Sequence, residues 1–146
     1  MKDSPTSQIS TVTLLRFEGL NAFWIFGQMQ KAKPKLKKVS GLEFSKLMGS
    51  GGKNGFSKML NVNVYVLHCV WESELAANDF FVRSATFSEF RTKAAEAYTI
   101  FMKASKAHGL WEGTNPYHTE KITPSGPIAV ITRARIKLKF LPRFWS

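Results

Sequence analysis

Two short segments of this 146-residue chain have a composition that suits a binding site better than a packed core. The glycine-rich segment is Gly49-Ser50-Gly51-Gly52-Lys53-Asn54-Gly55-Phe56, and the Trp111 loop is Trp111-Glu112-Gly113-Thr114-Asn115-Pro116. Glycine adopts positive φ freely and allows a ligand close to the backbone. We therefore predict that both segments border a pocket. The candidate pocket residues are Gly49, Ser50, Gly51, Phe56, Trp111, Gly113 and Pro116.

The glycine-rich segment does not match the nucleotide-binding patterns. A Walker A loop needs Gly-Lys followed by Ser or Thr at the start of a helix, whereas Gly52-Lys53 is followed by Asn54-Gly55 between two strand-like segments. The spacing of Gly49, Gly51 and Gly55 is also one residue too long for the dinucleotide pattern. We interpret this segment as a hairpin loop at the mouth of a pocket.

The histidines and the cysteine offer little other chemistry. His68 lies in an apolar run, where it is either a hydrogen-bonded core residue or an imidazole available to a haem iron. His108 and His118 read as surface residues, and no pattern of paired ligands predicts a metal site. Cys69 stands alone, which favours a reducing, cytoplasmic setting. No Gly-x-Ser-x-Gly motif supports a serine hydrolase, so the catalytic residues stay unknown.

The elements that would position these residues follow an α+β order. Alternation of apolar and polar residues predicts strands at 10–17, 41–48, 61–71 and 97–104. Capping residues and helical spacing predict helices at 22–33 and 73–82. A capping box at Thr86 to Glu89 predicts the start of a further helix. Phe23, Phe26 and residues 30–32 mark the apolar side of the first helix by their helical spacing. The 61–71 strand is apolar on both sides, so it should be central and antiparallel to the strand before the glycine-rich segment. This order is that of a ferredoxin-like βαββαβ unit.

The pattern divides the chain into four parts. Residues 1–13 are a polar N-terminal segment that is partly strand, 14–110 form the ferredoxin-like domain, and 111–126 are a loop. Residues 127–140 alternate as a fifth strand would, with Pro142 opening a helical turn beyond them. We predict that 127–146 begin a second, truncated repeat.

A net charge of +11 calls for an anionic partner or a solvated basic surface. The charge is concentrated in two clusters, Lys31, Lys33, Lys35, Lys37 and Lys38 around Pro34, and Arg133, Arg135, Lys137, Lys139 and Arg143. The sequence argues against nucleic acid as a partner, because the aromatic signature of sheet-type RNA binders is missing from 61–71. No segment reaches the roughly 18 apolar residues that span a bilayer, so we expect a cytoplasmic protein that is at most peripheral to a membrane.

The chain resembles the spheroidene monooxygenase family, which modifies carotenoids. The matching segments are spread in order along the sequence: 17–20, 24–29, 41–51, 55–56, 61–71, 90–99 and 111–116. The resemblance implies a dimeric α/β-barrel architecture of two ferredoxin-like halves, a haem cofactor, and oxygen-dependent oxidation of a long apolar polyene. It also implies an electron donor such as a ferredoxin.

The residues are compatible with these implications. His68 is a candidate haem ligand, and Arg83 and Arg91 are candidates to neutralise haem propionates. The lysines could hold the protein against anionic lipid, at about 1 kcal/mol each. Two alternatives stay open: a noncatalytic ferredoxin-like module that forms a homodimer or binds an apolar ligand, and a basic nucleic-acid-binding domain.

Overall fold

The computed structural model describes residues 7–52, 60–133 and 139, and its regular elements follow the ferredoxin-like order with one helix added. They are β1 (Ile9–Arg16), α1 (Leu20–Leu36), β2 (Leu42–Gly51), β3 (Leu60–Trp71), α2 (Glu74–Arg83), α3 (Ala85–Lys93) and β4 (Glu96–Met102). The strands form one antiparallel sheet in the order β2-β3-β1-β4. The predicted ferredoxin-like fold, the central position of β3 and its antiparallel pairing with β2 are confirmed.

The sheet has a helix-covered face and an open face, because successive strand residues point to opposite sides. Leu15, Leu67 and Trp71 belong to the covered face and are buried beneath the helices with a cluster of phenylalanines. Thr11, also on that side, accepts a hydrogen bond from the Trp71 indole at 2.9 Å, so this buried hydroxyl is satisfied. The open face carries Val12, Leu14, Phe44, Lys46, Met48, Val64, Val66, His68, Tyr98 and Ile100, as the strand register shows.

Helix α1 packs on the sheet with a different face from the one predicted. Its buried residues are Ala22, Ile25, Gln28, Ala32 and Leu36, whereas Phe23 and Phe26 are exposed. The small Ala22 and Ala32 let the helix backbone lie close to the sheet, where a bulky side chain would hold it away. Pro34 lies inside the last turn and does not end the helix.

The second helical connection is two helices that share Ser84. This residue closes α2 and caps α3, since its hydroxyl accepts a hydrogen bond from the Phe87 amide. The predicted capping box at Thr86 is therefore wrong: the helix already begins at Ala85, so Thr86 is inside its first turn.

Two further expectations are corrected. Gly49, Ser50 and Gly51 belong to the end of β2, so a loop can begin only at Gly52, and Gly49 has no positive φ. Residues 127–133, the described part of the predicted fifth strand, have no regular secondary structure. Alternation alone does not make a strand, since its backbone groups need a neighbouring strand to pair with. Phe56, the rest of that strand apart from 139, and the turn at Pro142 lie outside the described residues.

The helices of the described part of the chain do not include one that is long and apolar enough to cross a membrane.

Candidate functional site

His68 lies on the open face, in the central strand β3, and both of its ring nitrogens have partners. Nδ1 lies 3.1 Å from the Thr11 carbonyl oxygen and Nε2 lies 2.7 Å from the Tyr117 hydroxyl. A carbonyl oxygen can only accept, so Nδ1 carries the proton and Nε2 accepts the Tyr117 hydroxyl proton. The backbone and one tyrosine thus select a single neutral tautomer.

Aromatic rings surround the His68 side chain, which is 1% exposed. Trp111 stacks on the imidazole with a centroid separation of 5.5 Å, and Phe44 packs against the Trp111 ring at 5.2 Å. Burial lowers the pKa of His68, because the charged imidazolium would lose its hydration, and it raises the pKa of Tyr117 for the same reason. We call His68, Tyr117, Trp111 and Phe44 the His68 cluster.

The Trp111 loop reaches the His68 cluster through a tight turn. Trp111 and Thr114 are joined by hydrogen bonds in both directions between their backbones, and the two residues between them have positive φ, 55° at Glu112 and 88° at Gly113. Two successive positive φ values are typical of a type I′ turn, and Gly113 adopts one at little cost. The predicted need for glycine flexibility is met here rather than at Gly49.

Charged and polar contacts fasten the loop to the sheet. The Glu112 carboxylate pairs with Lys46, the residue opposite His68 on β2, and lies 4.0 Å from Lys33 of α1. The bond to Lys46 lowers the pKa of Glu112. At the other side of the loop, Gln8 donates to the Pro116 carbonyl at 3.0 Å and accepts from the His118 amide at 2.7 Å. These contacts hold Tyr117 beside His68.

Beyond the cluster, the open face carries mostly apolar side chains. Leu14, Tyr98 and Ile100 of the two neighbouring strands β1 and β4 are 39%, 67% and 36% exposed. Val64 and Val66 of β3 lie beside them in the register and are only partly buried. The loop covers one end of the sheet, so a strip of apolar side chains runs from the His68 cluster toward Leu14 and Val64. A strip of this kind could hold a long apolar molecule with one end near a proton-exchanging pair.

The structure does not bring the predicted haem residues together. His68 is on the open face, whereas Arg83 and Arg91 belong to α2 and α3 on the covered side. Arg83 pairs with Asp79 at 3.2 Å and lines a cavity of about 220 Å³ between the end of α1 and α2. That volume is below the roughly 300–1,000 Å³ of common ligand pockets. Binding of haem by these residues stays a prediction.

The predicted pocket residues fall into two separate groups. Trp111, Gly113 and Pro116 lie at the His68 cluster, whereas Gly49, Ser50 and Gly51 lie farther along β2. Gly51 lies five positions beyond Lys46, which is about 16 Å of strand. Ser50 there donates a hydrogen bond to the Val64 carbonyl at 2.9 Å.

The sequence pattern alone does not identify Tyr117 or Phe44 as members of this site, because neither belongs to the two glycine-containing segments or to a ligand-type motif. The available signal was the position of Tyr117 directly after the Trp111 loop, together with the placement of Phe44 two residues before Lys46 on β2.

Among the described residues, the site contains neither a set of metal ligands nor a reactive thiol. Within residues 7–52, 60–133 and 139, no group of three or more His, Cys, Asp or Glu side chains is arranged to hold a metal ion. Cys69 faces the helices and is fully buried, and this burial raises the pKa of its thiol. The structure therefore assigns Cys69 to the core.

Three spheroidene monooxygenases match this chain in sequence. The protein of Rhodobacter capsulatus is 30% identical over 142 residues, which cover 94% of this chain and 59% of the relative. The protein of Cereibacter sphaeroides is 32% identical over 143 residues, covering 95% and 44%, respectively. The chain is a relative of the spheroidene monooxygenases. It spans about half the length of these curated relatives, and no protein-family model matches it.

Solved structures confirm the fold of this spheroidene monooxygenase relative. SnoaB, a cofactor-independent oxygenase from Streptomyces nogalater, superposes with a TM-score of 0.50 at 14% identity over 70% of this chain and 97% of its own. A proposed antibiotic biosynthesis monooxygenase from Deinococcus radiodurans gives 0.52 at 7% identity, over 70% and 98%. At these identities the comparison shows a shared ferredoxin-like fold and nothing of chemistry.

Proposed function

We propose that this chain is part of an oxygenase that introduces oxygen into a carotenoid such as spheroidene or into a similar apolar polyene. The observation that carries the proposal is the apolar strip of the open face, which begins at the His68 cluster. The three sequence relatives of this chain, each named spheroidene monooxygenase, also support the proposal.

The strip suits a long hydrocarbon because its exposed side chains would leave water when the substrate binds. Burial of apolar surface contributes about 25 cal/mol per Å², and a polyene has no polar groups that need partners. Tyr117 and His68 are the polar pair at the end of the strip, joined by a 2.7 Å hydrogen bond. They can exchange a proton at His68 Nε2 beside an otherwise apolar substrate.

Monooxygenation sets the remaining requirements. One atom of O2 enters a C–H bond to give an alcohol and the other becomes water, which consumes two electrons and two protons. We propose a ferredoxin-type protein as the electron donor and haem as the group that would supply oxygen activation. His68 would have to release the Tyr117 hydroxyl to offer Nε2 to iron, and Arg83 and Arg91 lie on the other side of the sheet, so no residue is assigned to hold haem and no step is assigned to it.

Two measurements test the proposal. Protein from haem-supplied cells should show a Soret absorbance band, and incubation with spheroidene, O2, a ferredoxin and its reductase should give a product heavier by one oxygen atom. With isotopically heavy O2 the label should enter the product. Turnover without a Soret band would contradict the proposal of a haem cofactor but would support the oxygenase function.

Absence of both the band and the product would favour a second candidate, a noncatalytic module that dimerises through its sheet or binds an apolar ligand there. The exposure of Leu14, Tyr98 and Ile100 supports this alternative. In either case we propose peripheral contact with a membrane, where apolar polyenes reside.

A further inference from the structure

Helix α1 presents an apolar surface to solvent on the side turned away from the sheet. Leu20, Phe23 and Phe26 are 84%, 79% and 65% exposed, whereas the residues that fasten the helix to the sheet are buried. Two exposed phenylalanines within one helical turn are costly in water, because each leaves most of a large ring hydrated. These three residues form what we call the outer apolar patch.

The same helix becomes strongly basic toward its C-terminus. Lys31, Lys33, Lys35, Lys37 and Lys38 are all exposed, and residues 20–38 contain no aspartate or glutamate. Lys31 follows Leu20 by eleven residues, which is three helical turns, so it lies on the same outward side. The two ion pairs in this region are long, 4.0 Å from Lys33 to Glu112 and 3.9 Å from Lys35 to Glu89, and exposed pairs of this kind neutralise little.

Apolar aromatic residues beside a lysine cluster on one helix face are characteristic of helices that lie in a membrane interface. A purely acidic protein partner would pair with the lysines but would leave the phenylalanine rings exposed to water. A second copy of this chain is disfavoured because five lysines on each copy would meet. Charge and apolarity together therefore select an anionic lipid surface as the occupant.

We infer that α1 is a membrane-docking helix that inserts Phe23 and Phe26 among the acyl chains while its lysines contact anionic headgroups. The seventeen residues of α1 are about 26 Å long, so the helix lies along the surface and does not cross it. The helix layer would face the lipid, and the open sheet face would point away from it. Lipid binding by α1 needs no oxidation chemistry, so the vesicle and turnover experiments can fail separately.

Co-sedimentation of the full chain with vesicles tests this inference. Binding should be strong to equal parts of phosphatidylcholine and phosphatidylglycerol, weak to phosphatidylcholine alone, and reduced by salt. Replacing Lys31, Lys37 and Lys38 together with glutamine should weaken binding about 100-fold, at about fivefold for each lysine. Phe23→Ser with Phe26→Ser should weaken it about 100-fold as well, at about tenfold for each ring.

Matched controls separate docking by α1 from general attraction. Replacing the exposed Lys103, Lys106 and Lys121 with glutamine removes the same charge from another surface and should weaken binding less than about threefold. Leu75→Ser with Val82→Ser removes two exposed apolar residues of α2 and should have a similarly small effect. All the substituted side chains are exposed, and circular dichroism should show unchanged folding.

A labelled cysteine reports the contact directly, since Cys69 is buried and does not compete for the dye. An environment-sensitive dye on Phe23→Cys should brighten and shift to the blue with phosphatidylglycerol vesicles, and the same dye on Ser125→Cys should not. The inference is overturned if the dye at position 23 stays in water while the protein sediments, if both lysine triplets weaken binding equally, or if the vesicles are not bound. In the last case an acidic protein such as a ferredoxin becomes the occupant to test.

Discussion

At the scale of single residues, His68 owes its chemical state to two oxygen atoms of opposite character. The Thr11 carbonyl can only accept a hydrogen bond and the Tyr117 hydroxyl can donate one, so the imidazole is neutral with its proton on Nδ1. A protonated ring would have to donate at Nε2 as well, and Tyr117 could accept that bond only by turning its own proton away. The geometry and the burial therefore both disfavour the imidazolium.

This preference predicts a pH dependence of stability. The pKa of His68 is lowered from its ordinary value of 6.5 in the folded protein, so between those two values the unfolded chain binds a proton that the folded chain does not. The free energy of unfolding should be at its full value above about pH 6.5 and should fall as the pH drops through this window, by up to about 1.4 kcal/mol per pH unit.

Urea unfolding at a series of pH values from about 8 to 5 would measure this slope. Glu112 and Tyr117 keep their charge state in the window, since the pKa of Glu112 is lowered and that of Tyr117 is raised. The matched variant is His68→Gln, whose slope should be smaller. Identical slopes for the two proteins would show that His68 does not titrate differently on folding.

Tyr117→Phe tests the other half of the pair. The variant keeps the ring beside His68 but leaves Nε2 as a buried acceptor without its donor, which should lower the free energy of unfolding by about 1–3 kcal/mol. Tyr98→Phe is the control, since Tyr98 is exposed and should change stability by less than about 0.5 kcal/mol. Equal effects from the two substitutions would mean that the Tyr117 hydroxyl gives no net stabilisation.

At the scale of elements, Ser84 has to serve two helices at once. Its hydroxyl accepts from the Phe87 amide at the start of α3, and its own amide donates to the Phe80 carbonyl at the end of α2. Ser84→Ala should therefore cost about 1 kcal/mol in urea unfolding, since one amide at the start of α3 loses its acceptor. Thr86→Ala should be neutral or slightly stabilising, because alanine is the better helix former inside a turn. A larger loss in the free energy of unfolding from Thr86→Ala than from Ser84→Ala would indicate that Thr86, and not Ser84, caps the helix.

The elements that the sequence predicts well are those decided by local pattern. Alternation places β1 and β3 within one residue of their observed ends, and the two apolar sides of β3 identify it as central. Such local patterns do not show how the elements pack against one another. The apolarity of Phe23 does not say which side of α1 meets the sheet, and nothing near His68 in sequence shows that Tyr117, 49 residues away, will become its partner.

At the scale of the whole molecule, the two sides have opposite properties. The helix layer carries the outer apolar patch and the lysines of α1, whereas the open face is apolar and its charged residues, such as Arg16 and Lys46, are paired with carboxylates. A sheet face with this composition suits a second sheet or a hydrocarbon, and the basic helix layer suits an anionic surface. One molecule could therefore meet both partners at once, on opposite sides.

This division leads to a prediction about self-association. If the open faces of two copies pack together, as the resemblance to dimeric α/β-barrels implies, light scattering should give the mass of a dimer at micromolar concentration. Leu14→Lys with Ile100→Lys should shift the protein to monomer, because four ammonium groups would be buried between the two sheets without partners. Leu75→Lys with Val82→Lys adds the same charge to exposed positions of α2 and should leave the dimer intact. A monomeric parent protein, or dissociation by the α2 variant as readily as by the sheet variant, would assign the open face to a ligand rather than to a second copy.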